Sequence, residues 1–103
     1  MSKRSKACDI PPKVRQAVSE RDGGLSIISG RPGISNVHYI PRSAGGLGIE
    51  QNIVTLTVRE HHDYDNGGKR AEYRAKIRAY LDKCYPGFPE EGRIYDRWSN
   101  FKI

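Results

Sequence analysis

Cysteine is scarce in this chain of 103 residues: Cys8 and Cys84 are the only two, and they do not form a C-x-x-C pair. Both read as free thiols of a reducing compartment. Long apolar runs are missing as well. The basic opening, Met1-Ser-Lys-Arg-Ser-Lys, is followed by no apolar stretch, so it does not read as a signal peptide, and no segment is long enough to cross a bilayer. The expectation is a cytoplasmic protein without a membrane partner. Internal repeats are absent, and low complexity is confined to the basic start. Acidic residues are the minority charge, 12 against 18 Lys and Arg, which leaves a formal charge of +6. With a pI near 9.5, a polyanion is favoured as partner, nucleic acid first.

A chain of this length carries one domain around one modest core. The expected division is a flexible basic stretch over 1–8 and a single domain over 9–103. Asp9-Ile-Pro-Pro reads as a helix start with Asp9 as N-cap, and Val14, Ala17 and Val18 share one face of that helix. Gly23-Gly24 ends it. Leu25-Ser-Ile-Ile and Asn36-Val-His-Tyr-Ile predict two short strands forming a hairpin. From Pro41 to Gln51 the chain is glycine-rich and has no periodicity, so it reads as a long loop, ordered or not.

Ile53-Val-Thr-Leu-Thr predicts a further strand, and Val58 to Asn66 a short helix carrying His61, His62 and Asp65. Lys69 to Cys84 is the clearest helix, with Tyr73, Ile77, Tyr80, Leu81 and Cys84 recurring at three and four and Arg70, Arg74 and Arg78 on another side. An aromatic tail follows, with Phe88, Ile94, Tyr95, Trp98 and Phe101, and it is expected to pack back over the core.

The chemistry-bearing residues fall on a strand end, a loop end and a helix: His38, Asn52 and His61. Their setting is Val18-x-x-Arg21-Asp22-Gly, His38-x-x-Pro41-Arg-Ser-x-Gly-Gly, Asn52-Ile-Val-Thr-Leu and His61-x-x-x-Asp65. This order resembles the HNH endonucleases with their ββα-metal site, over about half the chain, from Val14 to Asn66. The resemblance implies an α+β domain with a ββα-metal core flanked by helices, and a DNA endonuclease that hydrolyses phosphodiesters with a divalent metal ion, Mg²⁺ or Mn²⁺. It implies His38 as the base that activates water, Asn52 as the residue that braces the loop and orients that base, and the helix as the source of metal ligands. His61 and Asp65, four apart, share a helical face suited to a hard cation. Small members resemble phage and prophage proteins, some tied to genome packaging, so DNA and packaging proteins are the partners implied.

Hydrolysis of a phosphodiester needs a base for water, a cation against the charge of the transition state and rigid placement of both. Imidazole titrates near neutrality, which suits His38 to the first task. Arg42 reads as a phosphate grip or as part of a polar loop. The stripe of Arg70, Arg74 and Arg78 reads as a DNA contact or as a solvated face.

Two features depart from the family. Val37 stands where many members place a metal-binding acid or histidine, so either His61, Asp65 and solvent hold the ion, or Asp63 or Glu60 helps, or the site is weak. Ser26-x-x-Ser29 and Thr57-x-x-Glu60 stand where relatives often carry two C-x-x-C pairs, so no structural zinc is expected. Leu25, Ile27, Ile28 and the aromatic tail would serve the core instead. Two other functions stay open on these residues: an inactive HNH-fold module that binds DNA, and a basic interaction protein.

Overall fold

Two short β-branched runs make the one sheet among the described residues. The structure is a computed structural model and describes residues 2–96. Strands β1 (Ile34–His38) and β2 (Ile53–Leu56) pair antiparallel, with Ile34 opposite Leu56, Val37 opposite Val54 and His38 opposite Ile53. From Ile34 to Val37 β1 advances three residues while β2 advances two, so β1 carries a bulge at Ser35 and Asn36. A two-stranded ribbon is marginal in water, and here helices cover it. Val54 and Leu56 join a core cluster with Val37, Tyr39 and Ile40, with Tyr64 of α3 (Val58–Asn66), and with Tyr73, Ile77 and Leu81 of α4 (Arg70–Cys84). Ile53 and Thr55 alternate with them and are also buried. Helix α2 (Pro12–Asp22) packs on both strands, with Val18 fully buried. The domain is therefore α+β, its ribbon enclosed between α2 and the α3–α4 pair. Among the described residues no helix is long and apolar enough to cross a membrane.

The predicted hairpin between 25–28 and 36–40 does not form. Ser26 Oγ accepts the N–H groups of Ile28 and Ser29, at 3.0 and 3.1 Å, which turns the chain where a ladder would need it extended. The segment instead closes a local turn, with an isolated bridge from Leu25 to Pro32, Ser26 N–H on the Arg31 carbonyl and Gly30 N–H on the Ser26 carbonyl, while Ile27 N–H reaches the Thr55 carbonyl. Ile27 and Ile28 pack against the core, but Leu25 is exposed.

The helix expected from Asp9 starts later, with Pro11 as N-cap. Prolines at 11 and 12 offer no N–H groups to cap, which leaves Asp9 without that task. Nor are residues 3–8 irregular. Lys3–Cys8 forms a helix, α1, whose N-cap Ser2 accepts from Ser5 N–H and whose last residue, Cys8, is buried. The described part of the tail packs back: Ile94 lies on the core and bridges to Gly46, and Tyr95 N–H donates to the Gly45 carbonyl. Trp98 and Phe101 lie outside the described residues.

Arg21 and Asp22, at the end of α2, tie the layers together. The buried Asp22 carboxylate accepts from Arg21, from Thr55 N–H and from the Tyr80 hydroxyl. Arg21 in turn donates to the carbonyls of Glu50 and Ile53 and to the Tyr85 hydroxyl. A guanidinium offers five donors, and this one spans α2, the entry to β2 and the end of α4.

The positions matched to the cysteine pairs come together as a hydrogen-bonded group. Glu60 Oε1 accepts from Ser26 Oγ at 2.6 Å and from Thr57 N–H at 2.9 Å, while Thr57 Oγ1 accepts from Glu60 N–H, a capping box at the start of α3. Burial works to raise the Glu60 pKa, but hydrogen bonds from Ser26, Ser29 and Thr57 outweigh it and hold the carboxyl below 4.5. A depressed folded pKa gives stability that is present above the ordinary value and lost as pH falls through the folded one. Glu60→Gln should therefore lower unfolding free energy at pH 7 by about 1–3 kcal/mol. In urea titrations the gap between variant and wild type should narrow below pH 4.5, the carboxyl's ordinary value.

Candidate active site

His38 closes β1, and Asn36, two residues earlier, shares its half-buried face of the strand. His61 and Asp65 project from α3 one turn apart, with His61 Nε2 3.0 Å from an Asp65 carboxylate oxygen. These four side chains line one open groove of about 590 Å³, together with Pro41, Arg42, Ser43 and Arg70. The strand end and the helix named from the sequence thus meet, and the loop between them forms the rim.

That loop is ordered. It holds two 3₁₀ turns, Arg42–Ala44 and Glu50–Asn52. Asn52 is fully buried and points back across it: Oδ1 accepts from Ile40 N–H at 2.9 Å, and Nδ2 donates to the carbonyls of Ile40 and Leu47. Its own carbonyl accepts from Tyr39 N–H. Asn52 therefore does not touch the groove; it fixes the strand end that carries His38. At Gly46 the backbone runs so close to the Ile40 carbonyl and to Asn52 Nδ2 that no side chain fits. Its neighbour Gly45, at φ 84°, takes the left-handed conformation that ends the first of these turns.

His38 is oriented from an unexpected quarter. Its Nε2 lies 2.8 Å from the backbone carbonyl of Cys8, at the end of α1. A carbonyl can only accept, so Nε2 carries the hydrogen and Nδ1 is the lone-pair nitrogen. Helix α1 also holds the loop: Arg4 donates to the Ser43 and Arg42 carbonyls, and Ala7 accepts from Gly48 N–H. Burial lowers the His38 pKa below 6.5, and neighbouring Arg42 and His61 push the same way; the Cys8 bond and Asp65 oppose them without prevailing. A lowered pKa favours the uncharged ring at neutral pH.

The other expected residues divide. His61 and Asp65 put an imidazole nitrogen and a carboxylate side by side, a donor pair suited to a divalent cation. Glu60 is engaged with Ser26 and Thr57 and lines a second groove with Asp63, Arg31, Arg59 and Lys69. Neither acid lines the groove of His61. Val37 is fully buried in the core. His62 is largely exposed. Arg42 lines the groove but is ion-paired with Asp9 at 2.8 Å.

The arginine stripe is not a uniform face. Arg70 lines the groove while donating to the Tyr64 carbonyl and lying over its ring. Arg74 meets Glu90 and the Tyr39 ring, and Arg78 meets Asp82. Arg31, Arg59 and Lys69 are exposed and make no ion pair among the described residues. Asn36 and the Cys8 carbonyl were missed from the sequence. The period of two from His38 signals the first, whereas a backbone carbonyl 30 residues away leaves no trace in residue type.

In metal-free protein, the NMR titration of the His38 ring should have its midpoint below 6.5, its ordinary value. The unfolded chain protonates first as pH drops below that value, so the fold should lose stability from there until His38 itself takes the proton. Asn52→Ala should cost about 2–4 kcal/mol in denaturant unfolding, because one N–H and two carbonyls lose their partners. Amide exchange over 40–48 should accelerate in that variant. Comparison with protein-family models, with curated proteins and with solved structures found no match to this chain.

Proposed function

We propose that this chain is a metal-dependent DNA endonuclease of the HNH type. The observation that carries the reading is the groove in which His38, its tautomer set by the Cys8 carbonyl, shares a lining with the His61–Asp65 pair. The chain order of β1, β2 and α3 supports the same reading, since it is the strand, strand and helix of a ββα core.

In this mechanism His38 Nδ1 takes the proton from the attacking water. Its lowered pKa keeps it free to do so at neutral pH, and the Nε2–H bond to Cys8 keeps the ring in place as it becomes charged. Asn52 acts at one remove, holding Ile40 and Leu47 so that the strand end does not shift. His61 and Asp65 would hold a divalent cation, which when bound neutralises charge developing on the phosphate and leaving oxygen. Arg70 and Arg42 line the groove and favour a phosphate there; Arg42 must leave Asp9 to engage it fully.

A second reading, a DNA-binding module without catalysis, is favoured by one observation: Val37 is sealed in the core and contributes no ligand. Supercoiled plasmid incubated with purified protein across Mg²⁺, Mn²⁺ and other divalent ions separates the two. Nicking should be metal-dependent, and His38→Ala should slow it about a hundredfold to ten-thousandfold while leaving metal affinity nearly intact. His61→Ala should lose metal affinity and activity together. Nicking by His38→Ala at the wild-type rate dismisses the base assignment, and an inactive wild type that binds DNA in a salt-sensitive way establishes the module instead.

A further inference from the structure

Asn36 has the one buried polar atom of the groove that lacks a partner. Its amide oxygen is shielded from solvent and meets no hydrogen-bond donor among the described residues. The charged and imidazole side chains that line the groove with it are engaged: His38 with the Cys8 carbonyl, Arg42 with Asp9, Arg70 with the Tyr64 carbonyl, and His61 with Asp65. A buried acceptor without a donor is destabilising, and such a group beside two candidate ligands marks a place where a bound species completes the pairing. Asn36 also sits in the β1 bulge, a device that re-aims side chains next to sites.

The chemistry of an amide oxygen narrows the bound species. Phosphate oxygens are acceptors too and do not pair with it. A divalent cation does, and an uncharged oxygen beside an imidazole and a carboxylate is an ordinary donor set for one. We infer that Asn36 supplies, through its amide oxygen, a third protein ligand to the divalent cation held by His61 and Asp65. The inference rests on the nuclease reading for the presence of that cation. Neither end of the amide is tied by a hydrogen bond among the described residues, and the terminal torsion of asparagine is broad, so the oxygen turns toward the ion without breaking a contact. Val37 points into the core, and Asn36 beside it provides the ligand on the groove face of the strand.

The test uses the full chain and Mn²⁺ alone, with free Mn²⁺ followed by electron paramagnetic resonance and thermal melting run with and without the ion. Metal-free Asn36→Ala should melt at or above the wild-type temperature, because the orphaned acceptor is gone. Its Mn²⁺ affinity should fall at least roughly tenfold, with a smaller metal-induced rise in melting temperature. Asn36→Asp adds a charge to the ligand set and should bind Mn²⁺ more tightly than wild type; it carries the test alone if the alanine variant does not fold. Unchanged affinity in both Asn36 variants, with His61→Ala impaired, overturns the inference and leaves the nuclease reading standing. Affinity unchanged in His61→Ala as well overturns both.

Discussion

The carboxamide of Asn52 is the contact on which the site depends. A single buried side chain accepts from the backbone of Ile40 and donates to the backbones of Ile40 and Leu47, closing the loop that leaves β1 onto the residues that enter β2. Asparagine suits the place because it alone among small side chains offers an acceptor and a two-proton donor at one end. Aspartate would face two carbonyls with a negative oxygen, and leucine would bury three backbone groups unpaired. Because the register of His38 opposite Ile53 adjoins this contact, the position of the groove follows from it.

A second polar centre does for the whole domain what Asn52 does for the loop. Arg21 and Asp22 connect α2 to β2 with its entry and to the end of α4, and their partners are backbone groups and tyrosine hydroxyls of those segments. A core this small, built largely of Val, Ile, Leu and Tyr, leaves much of its cohesion to such networks. The Ser26, Thr57 and Glu60 group is a third instance, at positions where relatives of the proposed family carry thiolates. Hydrogen bonds between hydroxyls and a carboxylate are directional enough to fix the turn at 26–29 against the start of α3, and they need no metal to do so.

The sequence showed the parts governed by local rules. Helices α3 and α4 were visible in their spacing, the end of α2 in Gly23, and the meeting of His38 with His61 and Asp65 in the order of the motifs. What escaped was set by side chains acting on distant backbone. Leu25 to Ile28 has the composition of a strand, yet Ser26 spends its hydroxyl on the following N–H groups and bends it. Residues 3–8 have the composition of a solvated tail, yet Arg4 and Ala7 find partners in a loop about 40 residues on. The arginine stripe was visible as a spacing, and so was the i, i+4 pairing of Arg78 with Asp82 on the same helix, but Glu90, which engages Arg74, comes from beyond the end of α4 and leaves no such trace.

The docking of α1 makes the orientation of the imidazole a matter of local equilibrium. Six residues held by a few backbone contacts open at a smaller free energy than the core does, so the fraction of molecules with a correctly aimed His38 is the fraction with α1 in place. On the proposed nuclease reading, the rate would then be scaled by that fraction. Anything that draws the N-terminal helix away, such as salt weakening the Arg42–Asp9 pair or a polyanion competing for Arg4 and Arg42, acts on the His38 ring at a distance. Conversely, whatever holds α1 down raises the fraction with His38 aimed into the groove without touching the ring itself.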